Sequence, residues 1–212
     1  MKIVIIDYGI GNVKSIINAF ENQGQKIILS RERDIILGSD GIILPGVGAF
    51  SHAMHNLNKY GLVSIIKDYA KTGKPLLGIC LGMQMLFDES EEFGITKGLG
   101  LIKGKVIKLP VKHSNEIKLP HISWSGIFQN KTNWGNTIFN NITNGCDMYF
   151  VHTFVAKPDN DNEILSISQY FNVEFCSSVK NGNIYGCQFH PEKSAENGLR
   201  VIENFINVCK KN

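Results

Sequence analysis

Cys80 stands between two glycines in the stretch 75-PLLGICLGMQML-86. Pro75 to Ile79 is a short apolar run that reads as a buried strand. From Leu81 onward, Met83, Met85, Leu86 and Phe87 are apolar and compatible with a helix. This is the G-x-nucleophile-x-G pattern of a strand-to-helix elbow, with Cys in the place of Ser. Such a turn strains the backbone of the nucleophile, and only glycine leaves room beside it. Free N–H groups at the start of the following helix favour a thiolate. Taken alone, the stretch fits an inert cysteine in a packed core equally well.

A second stretch, 186-GCQFHPEKS-194, supplies a partner for a thiol. Pro191 is expected to hold the chain extended, and in an extended chain His190 and Glu192 project to the same side. The carboxylate then braces the imidazole, fixing its tautomer and raising its basicity. In isolation H-P-E reads better as an exposed His and a solvated Glu. Beside a cysteine elbow the balance reverses, because Cys and His need be neighbours only in space. A third stretch, 45-PGVGAF-50, follows the apolar 41-GIIL-44. Its glycines let backbone N–H groups turn outward and, with the N–H of Leu81, form an oxyanion hole. By itself it is an ordinary strand-to-helix turn. No Gly-Lys-Ser/Thr follows it, which excludes a phosphate loop, and Lys14 occupies the third glycine place of a dinucleotide fingerprint begun at 9-GIGN-12. Gln84 lies one helical turn beyond Cys80 on the same side. Asp88, Glu89 and Glu91 in 88-DESEE-92 read as a solvated acidic face.

The elements that must position these residues follow from periodicity. Lys2 to Asp7, Lys26 to Leu29, Gly41 to Leu44 and Pro75 to Ile79 read as strands. Val13, Ile16, Ile17 and Phe20 mark an amphipathic helix stopped by Gly24, and two helices follow near Ala49–Lys59 and Leu62–Lys71. This alternation predicts a mostly parallel sheet with helices on both faces, an α/β fold. After residue 95 the pattern shifts to short strand-like runs: Leu101–Leu109, Asp147–Val155, Glu163–Ser168, Val173–Val179 and Asn183–Phe189. Turn signals at 158-PDND-161 and 181-NG-182 separate them. They predict an antiparallel β extension of the sheet or a small second sheet. A helix from about Ala195 closes the chain, with Leu199, Ile202, Phe205, Ile206 and Cys209 on one face. The polar segment 110–146, which carries both Trp residues, has no assignment. One domain over residues 1–212 accounts for the whole.

Composition narrows the function. The formal charge is +3, and no basic cluster alternates with aromatics, which argues against nucleic acid. The five cysteines are odd in number and include no C-x-x-C pair, which argues against a disulfide framework and a zinc site and suits a reducing cytoplasm. Only Ile3 to Ile6 are apolar before Asp7, too few for a signal peptide, and no window approaches a membrane span.

The combination of G-I-C-L-G-M-Q at Cys80, the later H-P-E and the preceding P-G-V-G resembles the class I (triad) glutamine amidotransferases. D-Y-G-I-G-N at 7–12, S-E-E at 90–92, G-L-G-L-I-K-G-K-V at 98–106, P-H at 120–121, Y-F-V-H at 149–152 and Q-F-H-P-E-K-S at 188–194 are similar to one branch. That branch comprises the glutaminase subunits of imidazole glycerol phosphate synthase, in histidine biosynthesis. The resemblance implies a flavodoxin-like core. It implies Cys80 as nucleophile, His190 as acid and base, and Glu192 as the group that orients it. It places the oxyanion at the backbone of Leu81, Val47 and Gly48. It implies that Gly46, Gln84 and Glu92, with the segment His152, Thr153 and Phe154, hold glutamine. It places Asn12, Trp124, Tyr149 and Lys193 toward a partner, a (β/α)8-barrel synthase in a heterodimer. It implies no metal and no organic cofactor, and low glutaminase activity until the partner is loaded, with the 45-PGVG-48 peptide as the switch.

Two departures stand out. The family commonly has G-W-N after the P-H pair, where this chain has 123-SWS-125, and Phe154 stands where Tyr is frequent. The first leaves open a paralogous glutaminase feeding ammonia to another acceptor, such as a sugar-amidating enzyme. A non-catalytic scaffold subunit would have no reason to keep Cys, His and Glu together. A thiol hydrolase of the peptidase or stress-protein type is opposed by H-P-E-K-S and P-G-V-G.

Overall fold

Ile3, Val4, Ile5 and Ile6 are all shut off from solvent, and they alternate between two separate cores. Successive side chains of a strand point to opposite faces, so a strand apolar at every position must be covered on both sides. A computed structural model, which describes residues 1–111 and 118–211, shows how. The first half alternates strand and helix: β1 (Ile3–Ile6), α1 (Val13–Glu21), β2 (Ile27–Ser30), α2 (Arg33–Leu37), β3 (Gly41–Leu44), α3 (Phe50–Lys59), α4 (Leu62–Lys71) and β4 (Leu76–Ile79). A single helical turn, α5 (Leu81–Gln84), follows. Then come β5 (Glu89–Ser90), β6 (Thr96–Lys97), β7 (Gly104–Lys108), β8 (His121–Gly126), β9 (Phe128–Gln129), β10 (Asp147–His152), β11 (Phe154–Pro158), β12 (Ile164–Tyr170), β13 (Val173–Asn181), β14 (Ile184–Cys187) and α6 (Ala195–Lys210).

The main sheet runs β2-β1-β3-β4-β14-β13-β11-β7-β5-β6, with β12 branching from β13 and β9 pairing with β12. Its first five strands are parallel, in the order of a flavodoxin-like sheet with β14 as the fifth strand. Beyond β14 the pairing turns antiparallel through β13, β11 and β7. Helices α1 and α6 cover one face, where Phe20 meets Phe205 edge-on at 6.4 Å. Helices α2, α3 and α4 cover the other through Ile36, Phe50, Leu57, Ile66 and Tyr69.

Several expected runs are redrawn. The run 147–155 is two strands in two sheets: β10 pairs only with β8 in a separate ribbon, and β11 joins the main sheet. Both forms of the antiparallel extension are therefore present. β14 pairs antiparallel with β13 but parallel with β4, so it belongs as much to the parallel half. Of the segment 110–146 left unassigned, β8 and β9 are strands, and residues 112–117 lie outside the described residues.

The acidic run is tied down rather than free. Asp88 accepts the Gly104 N–H and pairs with Lys103, Glu89 pairs with Lys97, and Glu91 pairs with Lys105.

Phe205 is fully buried between α6, α1 and the sheet. Phe205→Ala is expected to lose about 3–5 kcal/mol of unfolding free energy, read from urea denaturation, through lost burial and the cavity left behind.

Candidate active site

Cys80 follows β4 immediately, and β4 and β14 are adjacent parallel strands with Ile79 in register with Cys187. The chain leaves both strands at the same edge of the sheet. The Cys80 N–H donates to the Cys187 carbonyl at 2.7 Å, extending the pairing by one residue. His190 lies three residues beyond Cys187, on the exit from β14. Parallel pairing thus brings together two stretches more than a hundred residues apart. Ligand sites of open α/β sheets form at this carboxyl edge.

The elbow is strained, as its glycine spacing anticipates. Cys80 has φ 54° and ψ −111°. Three glycines allow it. A Cβ on Gly78 would sit 2.7 Å from the Gly82 carbonyl oxygen, one on Gly46 would sit 2.8 Å from the Gly82 nitrogen, and one on Gly82 would fall on the Leu44 carbonyl. The elbow, the end of β3 and the 45–48 loop therefore interlock at the backbone level. The helix after Cys80 is shorter than expected: it ends at Gln84. The carbonyls of Met85, Leu86 and Phe87 are taken by the N–H groups of Leu99, Leu101 and Gly100 instead. One helical turn leaves little macrodipole to act on the sulfur.

The H-P-E segment differs from the extended chain that proline suggests. Pro191–Lys193 is a turn of 3-10 helix with His190 as its N-cap. Proline at the first helical position loses no intrahelical hydrogen bond, so it is tolerated there. The Ser194 hydroxyl and the Lys193 N–H both donate to the His190 carbonyl, at 2.6 and 3.0 Å, and close the turn. The expected pairing still forms: His190 Nδ1 lies 2.8 Å from Glu192 Oε1, with both side chains almost wholly buried. A carboxylate only accepts, so Nδ1 carries the proton. Nε2 is buried and has no hydrogen-bond partner among the described residues. Burial opposes charge on the ring. The Cys80 sulfur and the Glu192 carboxylate more than offset it, and the pKa rises to about 10.

Cys80 and His190 line one cavity of about 350 Å³. Val47, Gly48 and Leu81, the residues proposed for the oxyanion, line the same cavity. Gln84, Glu92, His152, Thr153 and Phe154 complete the walls with Pro120 and Val151. Gly46 lies behind the wall, packed on Leu81 and Gly82. Glu92 is fixed by the Phe50 N–H at 2.7 Å. Gln84 donates to the Phe154 carbonyl and to Gln188 Oε1, both at 2.9 Å, and Gln188 Nε2 points to Cys80 Sγ at 3.8 Å.

Tyr8 was not singled out by spacing. Its hydroxyl donates to the Pro45 carbonyl at 2.6 Å and anchors the start of the 45–48 loop. Burial, with a smaller contribution from the Cys80 sulfur, pushes its pKa up and keeps it a donor. Only its position in D-Y-G hinted at this.

Of the residues placed toward a partner, Trp124, Tyr149 and Lys193 form one surface patch. Trp124 packs edge-on to Tyr149 at 6.0 Å, and Lys193 Nζ lies 6.0 Å from the Tyr149 ring centre. Asn12 is exposed at the start of α1, which packs on the 191–193 turn. A larger cavity of about 580 Å³ lies between the C-terminal end of α6 and the Asn-rich 136–140 segment and shares none of these residues. Among the described residues no group of three His, Cys, Asp or Glu side chains is placed to hold a metal ion.

A thiol beside an imidazole braced by a carboxylate, facing glycine backbone across a small cleft, is equipped for acyl transfer from an amide. The comparisons agree. Residues 4–209 match the family model "Glutamine amidotransferase class-I", and the chain belongs to that family. Within it, the chain is 42% identical over 209 residues to "Imidazole glycerol phosphate synthase subunit HisH" of a Geobacillus species, covering 97% of this chain and 96% of that one. The same-named protein of Bacillus cytotoxicus is 45% identical over 210 residues, with coverage of 99% and 96%. That of Methanosarcina barkeri is 42% identical over 210 residues, with coverage of 98% and 99%. Among solved structures, PurLQS from Thermotoga maritima superposes with a TM-score of 0.71 at 20% identity over 97% of each chain, which shows the shared fold.

Two outcomes follow from this geometry. The raised His190 pKa means that its interactions with Cys80 and with Glu192 stabilise the folded state fully below pH 6.5 and lose that effect as pH rises toward 10. The stability difference between the wild type and Glu192→Gln should accordingly be largest just below pH 6.5 and shrink toward pH 10, measured by urea denaturation across that range. Gly82→Ala should destabilise by about 3 kcal/mol or more, because the clash is with backbone that cannot swing aside.

Proposed function

We propose that the chain is the glutaminase subunit of an imidazole glycerol phosphate synthase, working through Cys80, His190 and Glu192. The observation that carries this reading is the meeting of the elbow thiol and the Glu192-braced imidazole in one cleft of amino-acid size. Glutamine lies with its carboxamide over Cys80, held by Gln84, Glu92 and the 152–154 backbone. The thiolate adds to the carboxamide carbon. The oxyanion is held by N–H groups of Leu81 and the Val47–Gly48 region, where one donor is typically worth about 3–4 kcal/mol in the transition state. His190, protonated at Nε2, gives that proton to the leaving nitrogen. Ammonia departs and a γ-glutamyl thioester remains. Water then gives a proton to Nε2, attacks the thioester and frees glutamate. The covalent route divides a difficult amide cleavage into two acyl transfers.

Free ammonia is protonated in water, so the product needs a sheltered path to a second active site. The family resemblance supplies the acceptor: a (β/α)8-barrel synthase subunit, paired with this chain as a heterodimer in the cytoplasm. It makes imidazole glycerol phosphate and an aminoimidazole carboxamide ribotide. The patch of Trp124, Tyr149 and Lys193, with Asn12 nearby, is the surface we assign to it. The names of the full-length relatives support this acceptor over a sugar-amidating one. The whole chain serves as one domain, and neither metal nor organic cofactor enters the chemistry. Interlocking of the 45–46 peptide with Gly82 leaves the exposed Val47 and the open, left-handed Gly48 as the place where a switch can act.

A glutamine-analogue electrophile tests the reading. Label is expected on Cys80, absent in Cys80→Ala and weaker in His190→Ala. Label on another cysteine would refute it. Glutamine turnover should rise when the synthase subunit and its nucleotide are added; equal rates with and without them would remove the switch.

A further inference from the structure

His121 and His152 face each other at the end of the β8–β10 ribbon, with His121 Nδ1 3.0 Å from His152 Nε2. His121 is wholly buried and His152 nearly so. His121 is stacked between Phe150 and Tyr170, at centroid distances of 5.3 and 4.2 Å. Two imidazoles in contact leave the tautomers open in principle, but here the ends of the chain of contacts decide them. His152 Nδ1 lies 3.1 Å from the Phe154 carbonyl, which can only accept, so that nitrogen carries the proton. In a neutral ring Nε2 is then bare and must accept from His121 Nδ1. His121 Nε2 is bare in turn. It accepts from the Ser123 hydroxyl at 2.7 Å, with the Ser125 hydroxyl 3.1 Å away and 3.2 Å from Ser123. Burial keeps both rings neutral, pushing His121 down to about 4; burial and then the neighbouring His121 ring bring His152 to about 3.

The protons therefore all point one way, from the serines toward the cleft. The Phe154 carbonyl at the end of this line also accepts from Gln84, whose amide reaches Gln188 and through it the Cys80 sulfur. The serines are the two residues at which 123-SWS-125 departs from the common G-W-N. Strand alternation puts them on the same face as His121, half-buried, while Ile122 and Trp124 point outward, 57% and 50% exposed.

We infer that His121 and His152 are positioning residues for the amide reaction, a one-way hydrogen-bond relay capped by Ser123 and Ser125 that fixes the Phe154 carbonyl and the Gln84 side chain on the glutamine-facing wall and ties that wall to the ribbon bearing Trp124. This rests on the glutaminase reading above. The relay touches neither the thiol nor His190 directly, so it acts on how glutamine is held rather than on bond breaking.

The test uses the full chain with nitrogen-15-labelled histidine, and glutamine affinity measured by calorimetry in a Cys80→Ala background. Nitrogen shifts should show both His121 and His152 protonated at Nδ1 and bare at Nε2. Ser123→Ala/Ser125→Ala should move the His121 Nε2 signal toward that of an unbonded nitrogen and weaken glutamine binding about three- to tenfold, the worth of one hydrogen bond. Ser123→Thr, which keeps a hydroxyl, should restore both. His121→Phe, which keeps the stacking and removes the donor, should weaken binding at least as much; the serine variants decide the matter if it does not fold. A proton on His152 Nε2, or unchanged glutamine affinity in the double serine variant, overturns the relay. Absence of glutamine binding in the Cys80→Ala parent, with no analogue label on wild-type Cys80, instead overturns the glutaminase reading beneath it.

Discussion

The parallel pairing of β4 with β14 is the constraint on which the site depends. It is closed by the hydrogen bond from the Cys80 N–H to the Cys187 carbonyl. It fixes the elbow and the H-P-E turn at one edge of the sheet, in one register. A slip of one residue would turn every side chain of β14 to the opposite face. Buried Tyr185 and Cys187 pack in the core beneath α6, and Gly186 sits against Met83 on the other side, so slippage is opposed from both faces.

Around this pairing, the backbone strain at Cys80 is held in place by close packing. Gly46, Gly78 and Gly82 let three backbone segments meet without side chains between them, and Tyr8 pins the Pro45 carbonyl from below. A residue in a sparsely populated conformation persists only when its surroundings over-determine it. Here the surroundings are main chain, which cannot rotate away as side chains do. The same interlocking ends at Val47, where the loop meets solvent.

The polar groups of the cleft are held by a network in which nearly every proton has an assigned direction. His190 is braced by Glu192, Gln84 is shared between Phe154 and Gln188, and His152 and His121 hand their protons toward the Phe154 carbonyl. Buried polar groups that are fully paired specify one arrangement, and an unpaired one is costly. His190 Nε2 and the second carboxylate oxygen of Glu192 are exceptions, buried and without a hydrogen-bond partner among the described residues.

Much of this was legible in the residues themselves. Gly-x-Cys-x-Gly allowed an elbow because glycine leaves room beside a strained nucleophile, and the later H-P-E tipped the balance toward it, while the apolar runs at Ile3 to Ile6, Gly41 to Leu44 and Pro75 to Ile79 pointed to a sheet covered on both faces. What local sequence could not decide was set by distant contacts. The helix after Cys80 stops after one turn, and the 99–102 segment takes the carbonyls of Met85, Leu86 and Phe87 that a longer helix would have used. The H-P-E segment coils into a 3-10 turn because Ser194 closes it. The 147–155 run divides between two sheets because β8 and β7 each claim part of it. The stretch around His121 had no readable period, and its meaning appears only when β8 lies against β10. Sequence fixes which residues carry chemistry, since that is a property of their atoms and nearest neighbours. Their meeting, and the direction of each shared proton, belongs to tertiary structure, because it depends on groups that the chain brings from far away.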